Sequence, residues 1–225
     1  MATPSQIGYL KINIDSIKEP VLIIGSKQYD FDKMNIRNFL FENNIRNITG
    51  IDISEGEGVD EVVDITVSES EFIKKHFAHF NTILCMEILT HVKNPFAAAE
   101  NMKRLLAENG TIIFSECFVR KISKMPADYW RFTYDGTNVL FSGLVFDDSK
   151  AMISLTREKK EMLYSLKHPF PQIMPEKHED ESGTGYFLRR LHRKFFSKGI
   201  FGISRLFPEI TIYSVAVKKI MTRNN

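Results

Sequence analysis

The chain has 225 residues, of which 43% are hydrophobic and 26% charged, with a formal net charge of +2. That length supports one full hydrophobic core with an appendage, and the near-balanced charge gives no global argument for nucleic-acid binding. Its two cysteines, Cys85 and Cys117, form no CxxC pair, which fits a reducing compartment and argues against a disulfide framework or a zinc site.

The opening residues, MATPSQIGYLKINID, show no basic start followed by an apolar stretch, so no signal peptide is expected. No apolar run reaches the roughly 18 residues of a membrane span, and the expected setting is cytoplasmic. Residues 1–19 read as an irregular or helical lead-in. Val21-Leu22-Ile23-Ile24-Gly25 is an apolar, β-branched run that stops at a glycine and reads as a first strand. Asp30 to Asn43 carries Met34, Ile36, Phe39, Leu40 and Phe41 on a broad helical face. Asn47–Ile53 is a second strand that contains Asp52 near its end. Strand, glycine turn, helix, then a strand ending in a carboxylate is the unit that binds nucleoside cofactors in open α/β sheets. The glycine lets backbone approach a ligand, and an acid roughly 20–30 residues on can hold both ribose hydroxyls.

A glycine-acid loop, Ser54 to Asp60, leads to a short strand at Glu61–Ile65 that includes Asp64. Ser68 or Ser70 could cap a helix over Glu71–Phe77. Phe80–Met86 is a near-continuous apolar strand of the kind buried on both faces. Pro95–Ala107 is a helix whose buried side carries Phe96, Ala97, Ala99, Met102, Leu105 and Leu106, with Asn109-Gly110 as its stop. Thr111–Phe114 is a fifth strand. Alternating strands and helices argue for a parallel sheet with right-handed crossovers. After Phe118 the period is lost until a short helix at Tyr134–Leu140, and Met152–Leu155 reads as a sixth strand. Residues 167–185, rich in Pro, Gly, His and acids, read as a mobile loop. Tyr186–Lys198 is a basic helix, and Ile210–Lys219 reads as a final strand. The whole of 1–225 is expected to be a single domain, with its core at about 20–156 plus 210–219 and an appendage at 167–205.

The block Asn81 to Val92, followed by Asn94-Pro95-Phe96, Leu105-Leu106 and Asn109-Gly110, resembles class I S-adenosylmethionine-dependent methyltransferases. Pro126-Ala127-Asp128-Tyr129-Trp130-Arg131-Phe132-Thr133 is similar to the P-x-D-Y-W-R-F-T signature of a bacterial subgroup of the type 11 methyltransferases. The resemblance covers about residues 20–147 and implies a Rossmann-like, doubly wound sheet of seven strands, mostly parallel, with antiparallel strand 7 beside strand 5. It implies S-adenosylmethionine as cofactor. Gly25 and Ser26 would face its methionine part, Asp52 its ribose, Ile53 the adenine ring, Asp64 and Ile65 the adenine amino group and ring, and Cys85 and Met86 the floor beneath the sulfonium. The family's turn is usually G-x-G, whereas here Gly25-Ser26-Lys27 has one glycine. Ser115-Glu116-Cys117-Phe118 stands where the subgroup usually has S-V-P-F, and Ser123 stands at an expected His.

Methyl transfer from a sulfonium needs alignment and exclusion of water, with a general base for an oxygen or nitrogen acceptor. Asp52 is the ribose candidate, the plain alternative being a solvated loop acid. Asp64 could equally cap the next helix. Lys27 could pair with the cofactor's carboxylate, or be a surface lysine, or narrow the pocket. His91 sits where an acceptor approaches and could act as base, or be structural at a helix start. Asp128 and Tyr129 are the other catalytic candidates, and Glu116, Trp130 and Arg131 the substrate-binding ones, because aromatic platforms beside an Arg–carboxylate pair suit a polar ring. The alternative there is a structural plug. No metal cluster is read. The acid-free helix at Tyr186–Lys198 suits a membrane surface or anionic partner, or else a lid packed on the sheet.

The reading is therefore methyl transfer to a small-molecule acceptor, with a sugar hydroxyl of surface-glycan synthesis as the suggested one. The rival readings are a degenerate binding module without catalysis and methylation of a protein or lipid-linked acceptor. No nucleic-acid partner is expected.

Overall fold

The structure, a computed structural model, describes residues 2–29, 34–123, 127–157, 160–166, 182–196 and 209–219. The chain forms nine strands among these residues: β1 (Val21–Ile24), β2 (Ile48–Asp52), β3 (Glu61–Val62), β4 (Phe80–Met86), β5 (Leu106–Val119), β6 (Val145–Phe146), β7 (Met152–Arg157), β8 (Lys160–Ser165) and β9 (Glu209–Val217). The helices are α1 (Pro4–Ile12), α2 (Ile36–Glu42), α3 (Glu71–Lys75), α4 (Pro95–Leu105), α5 (Tyr134–Leu140) and α6 (Gly183–Phe196). The sheet order is β3-β2-β1-β4-β5-β9-β7-β8, with β6 paired to β9. Strands β1 to β5 pair in parallel, and β9 inserts antiparallel between β5 and β7. The antiparallel final strand beside strand 5 is as expected. The seven-strand expectation is corrected: a β7–β8 hairpin adds an edge strand, and two residues of β6 pair beside β9.

Residue parity along the strands builds the two layers, because successive side chains point to opposite faces. Leu22 and Ile24 of β1, Ile83 and Cys85 of β4, and Ile112 and Phe114 of β5 pack with Phe72, Ala98, Met102 and Leu105 of α3 and α4. The intervening Val21, Ile23, Leu84, Met86 and Ile113 pack with Tyr9 and Leu10 of α1 and Phe39 and Leu40 of α2. Both faces are thus covered, which is why the central strands read as unbroken apolar runs.

Helix ends carry the capping chemistry their sequences offer. Thr3 and Gln6 form a capping box on α1, Asn35 caps α2, Ser70 caps α3 and Asn94 precedes Pro95 at the first position of α4. The Asn109-Gly110 pair is not the stop of α4. The chain leaves the helix at Leu106, which is extended and pairs with Phe80, while the amide of Asn109 donates to the Lys218 carbonyl. Strand 5 therefore begins earlier and runs later than the Thr111–Phe114 expectation. Among the described residues no helix is long and apolar enough to cross a membrane. Most of the loop expected at 167–185 lies outside the described residues, as does Lys198 at the end of the expected basic helix.

Candidate functional site

The site begins where β1 ends. Gly25 adopts φ +72°, a left-handed conformation natural to glycine, and a Cβ there would lie 2.0 Å from Ile88 Cδ1. The amides of Gly25 and Ser26 both donate to the Ile51 carbonyl, at 2.8 and 3.0 Å, which ties the turn to β2. An open cleft lies here, bounded by Ala2, Gly25, Ser26, Lys27, Ile36 and Met86. Ser26 Oγ is buried at this position without a hydrogen-bond partner.

Asp52 stands half-buried at the carboxyl end of β2. Its Oδ1 accepts from the Ser54 amide at 3.1 Å and the Ser54 hydroxyl at 3.3 Å, and its Oδ2 accepts from the Lys27 amide at 3.3 Å. The loop after it folds back onto the β1 turn. Gln28 N donates to Glu57 O at 2.9 Å, and the Arg37 guanidinium bonds Gly58 O and pairs with Asp60. Gly50 makes this closeness feasible, since a Cβ there would meet Gly58 O at 2.5 Å and Ser26 Oγ at 2.7 Å.

Lys27 reaches across to the loop after β2. Its Nζ donates to Ser54 Oγ at 3.2 Å and lies 5.7 Å from the Tyr29 ring centroid. The ammonium is therefore at the loop beside Asp52. Ile53 is exposed, as an adenine contact would need. Asp64 closes its own turn, accepting from Thr66 N at 2.9 Å and Thr66 Oγ1 at 2.7 Å. Ile65 is buried in the core, so its side chain has no free face for a ring. Cys85 and Met86 do not act together: Met86 borders the cleft, whereas Cys85 points to the α3–α4 side, where burial pushes its thiol well up. Period two puts consecutive strand residues on opposite faces.

The second half of the site surrounds the turn after β4. Glu87 has φ +56°, uncommon for a non-glycine residue and typical of functional positions. Its carboxylate pairs with Arg120 and accepts from Thr211 Oγ1 at 3.3 Å. A 3₁₀ turn, Leu89–His91, follows. Glu116, expected to bind substrate, is instead fully buried beneath this turn. It accepts from the amides of Ile88 (3.1 Å), Leu89 (2.7 Å) and Thr90 (3.0 Å) and from Thr90 Oγ1 (2.9 Å). Burial pushes its pKa up to about 8, opposed by the hydrogen bonds from Leu89 and Thr90. It is a positioning residue for the turn that carries His91.

His91 is half-buried, and its Nδ1 meets the Ala127 carbonyl. A carbonyl only accepts, so Nδ1 carries the proton and Nε2 is the basic nitrogen. Asp128 is corrected as a catalytic candidate. Arg131 grips both its oxygens and Ser123 N donates to it at 2.7 Å, so Arg131, foremost, holds the carboxyl well below its ordinary range. A carboxylate so paired is a poor proton acceptor. Tyr129 and Trp130 are both exposed; the Tyr129 amide donates to Thr90 O at 3.0 Å and the Trp130 indole N–H to Val92 O at 2.9 Å. Arg131 Nη2 also reaches Arg120 O at 3.4 Å. His91, Asp128, Tyr129, Trp130 and Arg131 thus come together around one turn. Sequence reading missed Glu87, Arg120, Thr211 and Ser54. Glu87 directly follows the apolar run of β4 and could have been taken from that place, but nothing in the sequence announces its left-handed backbone or its partners. Among the described residues no group of three or more His, Cys, Asp or Glu could hold a metal ion.

These residues are compatible with an adenosyl cofactor: a glycine turn at left-handed φ, an orphaned buried hydroxyl at the same turn, a carboxylate at the end of β2 and an exposed aliphatic next to it. Residues 33–143 match the family model described as Methyltransferase domain, a span from the loop after β1 to just beyond α5. Among solved structures, the chain is similar to a SAM-dependent methyltransferase from Archaeoglobus fulgidus, at 14% identity and TM-score 0.56, covering 94% of this chain and 92% of that one. It is similar to the cyclase SpnF, at 14% identity and TM-score 0.55, covering 96% and 82%. It is also similar to the Burkholderia thailandensis 1,6-didemethyltoxoflavin-N1-methyltransferase, solved with S-adenosylhomocysteine, at 11% identity and TM-score 0.52, covering 96% and 78%. At these identities the likeness is one of fold. No curated protein matches the chain in sequence. The matched segment is thus similar to a methyltransferase domain, and the fold is that of solved S-adenosylmethionine-dependent methyltransferases.

Proposed function

We propose that this S-adenosylmethionine-dependent methyltransferase domain methylates a hydroxyl of a small polar-ring acceptor, a sugar being the class the site suits best. The observation that carries the reading is the left-handed Gly25 turn beside Asp52 at the carboxyl ends of adjacent strands. Asp52 would hold the ribose hydroxyls, Gly25 and Ser26 the methionine part, and Met86 the floor. The bound cofactor supplies an already activated methyl group.

What this chain adds is placement and proton handling. The turn held by Glu116 carries His91, whose Nε2 is the proton acceptor for an acceptor hydroxyl. Tyr129 and Trp130 offer exposed ring faces beside two Arg–carboxylate pairs, Asp128–Arg131 and Glu87–Arg120. Rings for stacking with donors and acceptors fixed around them support a hydroxyl-rich ring.

The test is calorimetric titration of the full chain with S-adenosylmethionine and S-adenosylhomocysteine, beside Asp52→Ala. Micromolar binding lost in the variant is the expected result. A folded wild-type chain that binds neither ligand would refute the reading. Acceptor class is then read from methyl incorporation into panels of sugars, phenols and amines, and incorporation confined to the last two would refute the sugar assignment.

A further inference from the structure

From Ser182 to Pro208 the sequence contains no Asp or Glu, while Arg189, Arg190, Arg193, Lys194, Lys198 and Arg205 all fall within it. That is a strong local asymmetry in a chain whose net charge is only +2. The first part of this stretch is α6, Gly183–Phe196. At 3.6 residues per turn, Phe187, Leu188, Leu191 and Phe195 occupy one arc of the helix, and Arg189, Arg190, Arg193 and Lys194 fall on the rest of it together with Tyr186, His192 and Phe196. An amphipathic helix normally hides its apolar arc in the core. Here Phe187 is 61% exposed, Leu188 62% and Leu191 40%.

We infer that α6 is a docking surface for an anionic phospholipid membrane, on which the chain rests without crossing it. Two features of the helix select this occupant. The apolar arc holds bulky Phe and Leu residues of the kind that sink into the acyl boundary, and the rest of the helix carries four cations and no acid, the pattern of helices that lie in a membrane interface. A negatively charged bilayer complements both at once, and its surface potential favours each nearby Lys or Arg. The proposal concerns where the enzyme works and not the methyl transfer itself.

The experiment is cosedimentation of the full chain with vesicles of phosphatidylcholine alone and of phosphatidylcholine mixed equally with phosphatidylglycerol. The expected result is binding to the mixed vesicles that weakens with added salt, and much weaker binding to the neutral ones. The triple variant Arg189→Gln/Arg190→Gln/Arg193→Gln is expected to bind mixed vesicles on the order of 100-fold more weakly. Phe187→Ser/Leu188→Ser is expected to lose at least about ten-fold. Both variants should keep wild-type affinity for S-adenosylhomocysteine, a check that they are folded. Wild-type protein that stays in the supernatant with mixed vesicles would overturn the proposal, a readout that needs no variant. So would binding that both variants retain, or binding to a soluble polyanion such as heparin without binding to vesicles, which would point to an anionic macromolecule instead.

Discussion

Glu116 makes the structure answerable to a pH titration. Its carboxyl is fully buried, and burial raises its pKa from 4.5 to about 8, against the lowering effect of the donors from Leu89 and Thr90. Between those limits the folded chain holds a proton that the unfolded chain has released. The sign follows: this contribution to stability is fully present below the unfolded value and is lost as pH rises through the folded one. Integrating the proton difference from about pH 5 to about pH 9 gives a loss of about 4 kcal/mol.

The assay is urea unfolding of wild type and Glu116→Gln at intervals across that range. Glutamine has no proton to release there, so the difference between the two profiles isolates Glu116 from other titrating groups, such as His76, whose pKa burial lowers. The amide keeps an oxygen for the Ile88 and Leu89 amides but sets an NH₂ group against the Thr90 N–H, and a buried donor without a partner costs about 1–3 kcal/mol. The variant should therefore be the less stable protein near pH 5, and the gap should close and reverse toward pH 9. Parallel profiles, or a wild type that gains on the variant as pH rises, would refute the reasoning. They would mean that four donors hold the carboxylate ionised in spite of burial.

Gly25→Ala should destabilise the chain by about 2–3 kcal/mol, since an alanine at left-handed φ costs about 1–2 kcal/mol and its Cβ must also displace Ile88; thermal unfolding measures this, and titration should show cofactor affinity falling with it. His91→Gln should lower kcat by about 10²–10⁴-fold with S-adenosylhomocysteine affinity unchanged; an unaltered kcat would leave His91 a structural residue. The paired carboxyl of Asp128 is held down by Arg131, so its stabilising contribution is present above the unfolded value and lost as pH falls through the folded one. Arg131→Met should remove that contribution, and the acid-unfolding midpoint read by circular dichroism should move to higher pH.

How much of this was legible in the sequence depends on what each residue's position is decided by. The strand Phe80–Met86 has the bounds its apolar run suggests, because a strand covered on both faces needs apolar residues at every position. The place of β9 beside β5 came from the resemblance and is borne out. Asp52 and Lys27 were legible from their places at strand ends, while Ser54, which donates to Asp52, was not, because a loop's path back across the sheet leaves no periodic trace. Glu87, Arg120 and Thr211 belong to three separate segments that only the sheet order brings together.

Glu116 is the more instructive case, because its correct placement was available from parity alone. The sequence reading ended strand 5 at Phe114, which left Glu116 in a loop and free to meet a substrate. The strand runs on to Val119, so Glu116 stands two residues beyond Phe114 and four beyond Ile112, both of which face the α3–α4 layer. Period two then puts the carboxyl on that same covered face. A carboxyl there needs donors close by, and the exposed amides of a 3₁₀ turn are the nearest source. The acid that looked like a surface contact is thus what shapes the turn beneath the proposed base, and the pH profile of Glu116→Gln tests that placement directly.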